Sequence, residues 1–175
     1  QLEVGEIAVA SFGRDVKLLH PFDKPFTADS GAYVVSQFRF EQKETRWPQL
    51  LESAVGMLEQ AKAASTQTAS RDEYLQLMFI VSDGRIAQDR KIVANWVREA
   101  LNKRQLPVLI IVDKSITKII SLTQGLKKSK GYLEDYPFPY YIVLHDLRAL
   151  PGRALSYCFP RISYRRCLVA CRGHW

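Results

Sequence analysis

The chain has 175 residues, of which 47% are hydrophobic, and carries a formal net charge of +7 at pH 7. This length can bury one sizeable core, so we expect one globular fold. The longest uncharged apolar runs, residues 77–81 and 107–112, are far shorter than the roughly 18 residues of a membrane helix, which argues against a transmembrane span.

The start of the sequence and the positions of the cysteines indicate the kind of parent protein and its compartment. The opening QLEVGEIAVASFG has no initiating methionine, basic leader or cleavage pattern, so we expect the interior of a longer protein. The three cysteines, Cys158, Cys167 and Cys171, all lie after residue 157 and cannot staple the core with disulfides. An intracellular, reducing compartment fits this usage best.

The first half of the chain predicts a hairpin and a long helix. EIAVASFG (6–13) is typical of a buried strand and turn, and DVKLLHPF of a short strand antiparallel to it. FTADSGAYVVSQF allows a short helix opening at Thr27 or Asp29, in a segment (22–44) that is otherwise unassigned. Residues 47–64 repeat apolar side chains on one helix face, with Pro48 in the first turn, where a missing N–H costs little.

The second half predicts a parallel sheet. A strand over 75–81 is followed by a helix over 88–104 and by LPVLIIVD, whose continuous apolar run is typical of a strand buried on both faces. This order implies a right-handed parallel crossover. FPYYIVLHDL supplies a further strand after the polar segment 114–134, whereas the tail after 155 has no period strong enough for an assignment. We predict an α/β fold with a mostly parallel sheet and helices on both faces.

Two carboxylates follow neighbouring strands of this predicted sheet. Asp83 ends the strand over 75–81 and Asp113 ends LPVLIIVD, at the edge where ligands of α/β proteins usually lie. Hard cations such as Mg²⁺ take oxygen ligands there. Each Asp could instead form a helix N-cap or an Asx-turn. Gly84, directly after Asp83, favours a ligand rim because glycine permits close approach or a positive φ.

Thr45 is the other oxygen of interest. It precedes the helix that starts near Trp47, where it could serve as the N-cap. Beside Asp83, it could instead be a neutral ligand of an octahedral metal site. The sequence leaves both alternatives open.

The order of elements, together with FIVSDG, resembles the von Willebrand factor A family. More narrowly, VASFG, HPF, DSGA, VSDGR and DYPFPYYIVLHDLRALP resemble the adhesion-type domain at the carboxyl end of the dynein-related AAA ATPases of ribosome assembly. The resemblance covers residues 1–155 and leaves 156–175 as an atypical tail. It implies a von Willebrand factor A-like, Rossmann-like sheet that is N-terminally incomplete and lacks its first strand.

In this family a metal-ion-dependent adhesion site combines a D-x-S-x-S loop, a threonine loop and an aspartate loop. The resemblance assigns Thr45 to the second and Asp83 to the third, with Ser82, Gly84 and Arg85 contacting the partner. The D-x-S-x-S loop does not occur at its expected place. DKSIT (113–117) imitates it as D-x-S-x-T, but its position matches a later strand of the family, so we interpret it as a look-alike.

The resemblance implies a docking module rather than an enzyme. Mg²⁺ or another divalent cation would bridge Thr45 and Asp83 to a carboxylate of the partner. The partners implied are ubiquitin-like domains of WD-repeat assembly factors on the pre-60S ribosomal particle, in the nucleolus and nucleoplasm. An AAA ATPase elsewhere in the parent protein would then remove them. Neither a membrane nor a direct small-molecule substrate is expected.

Two other functions remain as alternatives. A metal-dependent hydrolase would need a nucleophile or base, and the sequence contains no G-x-S-x-G, H-E-x-x-H or P-loop. A basic nucleic-acid-binding domain would use Lys127, Lys128, Lys130, Arg165 and Arg166, and its affinity would fall steeply with salt. The three lysines could equally be a nuclear-import signal.

The cysteines and histidines admit one more metal hypothesis. Cys158, Cys167, Cys171 and His174 are of zinc-binding types, but their spacing is irregular and coincidence is the better interpretation. His20 and His145 are expected to be structural, because neither has a second histidine at ligand spacing.

Overall fold

The computed structural model describes residues 6–38, 44–64, 75–112, 137–144 and 164–172. These residues form three helices and six strands, and the strands lie in one sheet. The strands are β1 (Glu6–Phe12), β2 (Val16–His20), β3 (Leu75–Ser82), β4 (Gln105–Val112), β5 (Tyr140–Leu144) and β6 (Tyr164–Arg172). The helices are α1 (Ala28–Ser36), α2 (Trp47–Ala64) and α3 (Arg90–Asn102).

The sheet has the strand order β2-β1-β6-β3-β4-β5. β2 is antiparallel to β1, which confirms the predicted hairpin, and every other pair is parallel. β3 and β4 are joined through α3, which confirms the parallel strand-helix-strand unit. Because the carboxyl ends of parallel strands meet at one edge, Asp83, directly after β3, lies at that edge of the sheet.

The position between β1 and β3 is occupied by a strand from the C-terminal tail. β6 pairs in parallel with β1 over residues 6–12 and with β3 on its other side. The described sheet therefore has no vacant position between β1 and β3, and the tail contributes a central element. The physical reason is backbone pairing, since an empty position would leave the facing N–H and C=O groups of β1 and β3 unsatisfied. That the family's own first strand is absent stays a prediction.

The main core lies between one face of the sheet and the helices α2 and α3. Large side chains of α2 and of the strands fill it without exposure to solvent, among them Trp47, Leu50, Leu51, Leu58, Met78, Ile80, Leu109 and Ile111. The apolar face predicted for α2 is confirmed. No described helix is both long and apolar enough to cross a membrane.

A smaller cluster lies on the other face of the sheet, under α1. Val34 of α1 packs against Val9 and Leu19. α1 begins where the sequence allows a helix, because Thr27 is its N-cap and its side chain accepts a hydrogen bond from the Ser30 backbone N–H at 3.3 Å. Helices on both faces of a mostly parallel sheet are thus confirmed.

Candidate metal centre

The loop after β3 presents Asp83 in a fixed orientation. Asp83 Oδ1 accepts hydrogen bonds from the Arg85 backbone N–H at 3.1 Å and from Ser82 Oγ at 3.3 Å. Ser82 Oγ in turn accepts from the Gly84 backbone N–H at 3.3 Å. The Asx-turn alternative is therefore correct in its geometry, and it holds the carboxylate at the carboxyl end of the sheet. Both of these hydrogen bonds end on Oδ1 of Asp83, and they do not exclude a ligand on the carboxylate.

Gly84 is needed for the turn and for packing. Its φ is +75°, as the sequence allowed, and a Cβ at this position would lie 3.1 Å from side-chain carbons of Ile111 on β4. Gly84 is buried against that neighbouring strand. The residue therefore shapes the Asp83 loop, and the space that it leaves is occupied by Ile111 rather than by a partner.

Thr45 does not cap α2. The first helical hydrogen bond runs from the Leu50 N–H to the carbonyl of Arg46 at 3.0 Å, one residue beyond Thr45. The Arg46 N–H donates to the carbonyl of Gly13 at 2.9 Å, which fixes this segment on the β1–β2 turn. Thr45 Oγ1 is buried and has no hydrogen-bond partner among the described residues. The capping alternative is wrong, since an N-cap oxygen must accept a backbone N–H.

Two hydrogen bonds join the Thr45 segment to the Asp83 loop. Trp47 Nε1 donates to the carbonyl of Arg85 at 3.0 Å, and Gln88 Nε2 donates to the carbonyl of Thr45 at 2.6 Å. Trp47 is fully buried between the rings of Phe12 and Phe138, with centroids 5.9 and 5.6 Å away. The core therefore fixes the position of both loops. Sequence reasoning missed this role of Trp47 and Gln88.

Thr45, Asp83 and Gln88 line one surface cavity of about 700 Å³, together with Glu44 and Arg85. Two of these lining residues each have a buried oxygen, Thr45 Oγ1 and Gln88 Oε1, without a hydrogen-bond partner among the described residues. Hydroxyl, amide and carboxylate oxygens are the donor types that a hard cation such as Mg²⁺ prefers. The residues present thus fit a divalent cation.

The chemistry of this donor set differs from that of a zinc site. Among the described residues, no group of three or more His, Cys, Asp and Glu could hold a metal ion. The residues that line the cavity instead carry a hydroxyl on Thr45, an amide oxygen on Gln88 and the carboxylates of Asp83 and Glu44. Such neutral and anionic oxygens suit Mg²⁺, Mn²⁺ or Ca²⁺ better than a soft metal.

The remaining predicted site residues are placed as follows. Ser82 is 1% exposed and Gly84 is buried, whereas Arg85 is exposed beside the cavity. Of these three residues, only Arg85 has an exposed side chain. His20 is structural as expected, because its Nε2 lies 3.0 Å from the carbonyl of Lys24 and its ring contacts Phe26 edge-on.

Several other predictions fall outside the described residues. These are the look-alike loop at Asp113, the lysines Lys127, Lys128 and Lys130, and His145, Cys158 and His174. Cys167 and Cys171 both lie on β6.

Comparison with known proteins finds relatives over most of the chain. It is 32% identical to midasin of Dictyostelium discoideum in an alignment of 159 residues that covers 87% of the chain. It is 34% identical to midasin of Giardia intestinalis in an alignment of 160 residues that covers 86% of the chain.

The chain belongs to the midasin family. It spans 3% of the length of each of these midasins and so corresponds to a segment of a much longer protein. No family model matches the chain. The α/β sheet and the cavity beside Asp83 are therefore features of a midasin segment.

Proposed function

We propose that this midasin segment is a cation-dependent protein-docking module with a von Willebrand factor A-like fold. Mg²⁺ or another divalent cation would be held by Thr45 and Asp83 at the carboxyl edge of the sheet. The observation that carries the proposal is Thr45 Oγ1, which is buried without a hydrogen-bond partner among the described residues in a cavity that Asp83 also lines.

The energetics of burial support a ligand at this place. A buried oxygen without a partner costs about 1–3 kcal/mol. Helix capping does not offset this cost, because the Thr45 hydroxyl accepts no backbone N–H. A divalent cation would supply the missing interaction, and its open coordination positions would accept an anionic oxygen from a partner.

The family resemblance supports the nature of the partner. We propose that it is a ubiquitin-like domain of a WD-repeat assembly factor on the pre-60S particle, which supplies an Asp or Glu side chain to the cation. Arg85, exposed next to the cavity, would pair with further carboxylates at the interface. Ser82 and Gly84 would act through the shape of the Asp83 loop. We expect this docking to occur in the nucleolus and nucleoplasm. The segment would bind the partner, and the ATPase elsewhere in midasin would hydrolyse ATP.

The test is a calorimetric titration of such a ubiquitin-like domain into this protein, first with Mg²⁺ and then with EDTA. We expect binding that requires the cation and is only moderately weakened by salt. Asp83→Asn should abolish it while the protein stays folded, because the Asn oxygen can still accept from the Arg85 N–H. Asp89→Asn is the matched control in the same loop. Asp89 caps α3 by accepting from the Lys91 N–H at 2.8 Å, and Asn caps a helix equally well.

Each outcome separates the alternatives. Binding that persists unchanged in EDTA, or in Asp83→Asn, would overturn the proposal. Affinity for RNA or DNA that falls steeply with salt, with no binding of the ubiquitin-like domain, would instead favour the nucleic-acid function.

A further inference from the structure

The nitrogen and the oxygen of the Gln88 side-chain amide differ in their hydrogen bonding. Its Nε2 donates a hydrogen bond to the carbonyl oxygen of Thr45 at 2.6 Å. A carbonyl oxygen can only accept, so this contact fixes which end of the amide is the NH₂ group. Oε1 therefore points away from the Thr45 carbonyl. It is buried and has no hydrogen-bond partner among the described residues.

The unpaired oxygen belongs to a residue that lines the proposed cation site. Gln88 lines the same cavity as Thr45 and Asp83. A buried amide oxygen without a donor is destabilising, as is the buried hydroxyl oxygen of Thr45. Both oxygens are stabilised together if one positively charged ligand occupies the space beside them.

We propose that Gln88 is a third protein ligand of the cation, through Oε1, and that its amide NH₂ positions Thr45 for the same role. This inference rests on the proposed function. It also gives a reason for an amide rather than a carboxylate at this position. A Glu could not donate to the Thr45 carbonyl. With neutral oxygens at positions 45 and 88, the Asp83 carboxylate neutralises only part of the charge of a divalent ion, and the remaining positive charge attracts an acidic side chain of the partner.

The experiment uses Mn²⁺ as the probe, because its bound fraction is measured directly by electron paramagnetic resonance. Gln88→Met keeps the length of the side chain and removes both polar ends. We expect it to weaken Mn²⁺ binding by about tenfold or more. Gln49→Met is the matched control, since Gln49 is an exposed glutamine that lines the same cavity. It should leave Mn²⁺ binding nearly unchanged.

A second variant separates a ligand from a purely positioning residue. Gln88→Glu keeps an oxygen at the same length but removes the donor to the Thr45 carbonyl. If Oε1 is a ligand, Gln88→Glu should bind Mn²⁺ more tightly than Gln88→Met, although less tightly than the unchanged protein because the donor to the Thr45 carbonyl is lost. Thermal unfolding without metal should show that both variants are folded.

Each result decides the question. Normal Mn²⁺ affinity in Gln88→Met overturns the inference, and a loss in Thr45→Val and Asp83→Asn would then leave the proposed function intact. Equal losses in Gln88→Met and Gln88→Glu would reduce Gln88 to a positioning residue. If the unchanged protein binds no Mn²⁺ or Mg²⁺, the proposed function and the inference both fail.

Discussion

The indole Nε1 of Trp47 donates a 3.0 Å hydrogen bond to the carbonyl oxygen of Arg85, 38 positions further along the chain. The bond links the first residue of α2 to the loop that carries Asp83. Since the Trp47 ring is fully buried, the position of the loop depends on core packing. The stability of the fold and the geometry of the candidate site are therefore coupled through one side chain.

Trp47→Phe tests this coupling. Phenylalanine keeps most of the apolar ring and removes the N–H. We expect a loss of about 1–2 kcal/mol in the free energy of unfolding, measured with denaturant, because the donor is lost and the smaller ring packs less well. Mn²⁺ affinity should also fall. Trp96→Phe, in a partly buried tryptophan of α3, is the control and should leave Mn²⁺ affinity unchanged. If Trp47→Phe also leaves Mn²⁺ affinity unchanged, the stability of the fold and the geometry of the candidate site are not coupled through Trp47.

Thr45→Val tests the unpaired hydroxyl. Valine has nearly the same shape and lacks only the oxygen. Removing a buried oxygen that has no partner should leave the metal-free protein as stable as before or more stable, by up to about 1 kcal/mol. The rise in melting temperature on adding Mg²⁺ should disappear, whereas Thr45→Ser should keep it. A Thr45→Val protein that is clearly destabilised without metal, and that still responds to Mg²⁺, would point to a structural role for the hydroxyl.

Gly84→Ala tests the turn beneath Asp83. The substitution places a Cβ at a φ of +75° and 3.1 Å from Ile111, so we expect a loss of about 1–3 kcal/mol in stability. Gly56→Ala is the matched control within α2, where an added Cβ would meet nothing within 4 Å. It should stabilise the protein by about 0.5–1 kcal/mol, because glycine is unfavourable inside a helix. Equal effects of the two variants in denaturant unfolding would contradict this account.

Val169→Pro tests the central position of β6. Residue 169 pairs with Val9 on β1 and with Phe79 on β3. Proline removes the backbone donor and fits poorly into a central strand, so stability should fall by about 3 kcal/mol or more. Val169→Ile keeps the donor and should be tolerated. Circular dichroism during thermal unfolding measures both. An unchanged transition in Val169→Pro would mean that the sheet does not depend on β6.

The elements with local patterns could be predicted from the sequence. The three-and-four spacing in α2 and the continuous apolar run of β4 each reflect burial, and both elements occur where expected. In α3, apolar residues at helical spacing extend beyond the buried face. Val93, Val97 and Ala100 are buried, whereas Ile92 and Leu101 at its margins are 47% and 37% exposed.

The missed features depend on contacts between distant parts of the chain. β6 has a short apolar stretch flanked by arginines, and nothing local indicates that it pairs between β1 and β3. Asp83 and Gly84 carried a recognisable signal because they directly follow an apolar strand. Gln88 carried none, since a single glutamine in a polar loop has no pattern. Its importance emerges only from the fold, which places its amide against the Thr45 carbonyl.

The most direct test of the cation site is anomalous X-ray diffraction from crystals of this protein grown or soaked with Mn²⁺. We expect one strong anomalous peak in the cavity, about 2.0–2.6 Å from both Thr45 Oγ1 and the Asp83 carboxylate. The peak should vanish when Asp83→Asn crystals are treated in the same way. A cavity without a peak while Mn²⁺ binds elsewhere, or an unchanged peak in Asp83→Asn, would contradict the central claim.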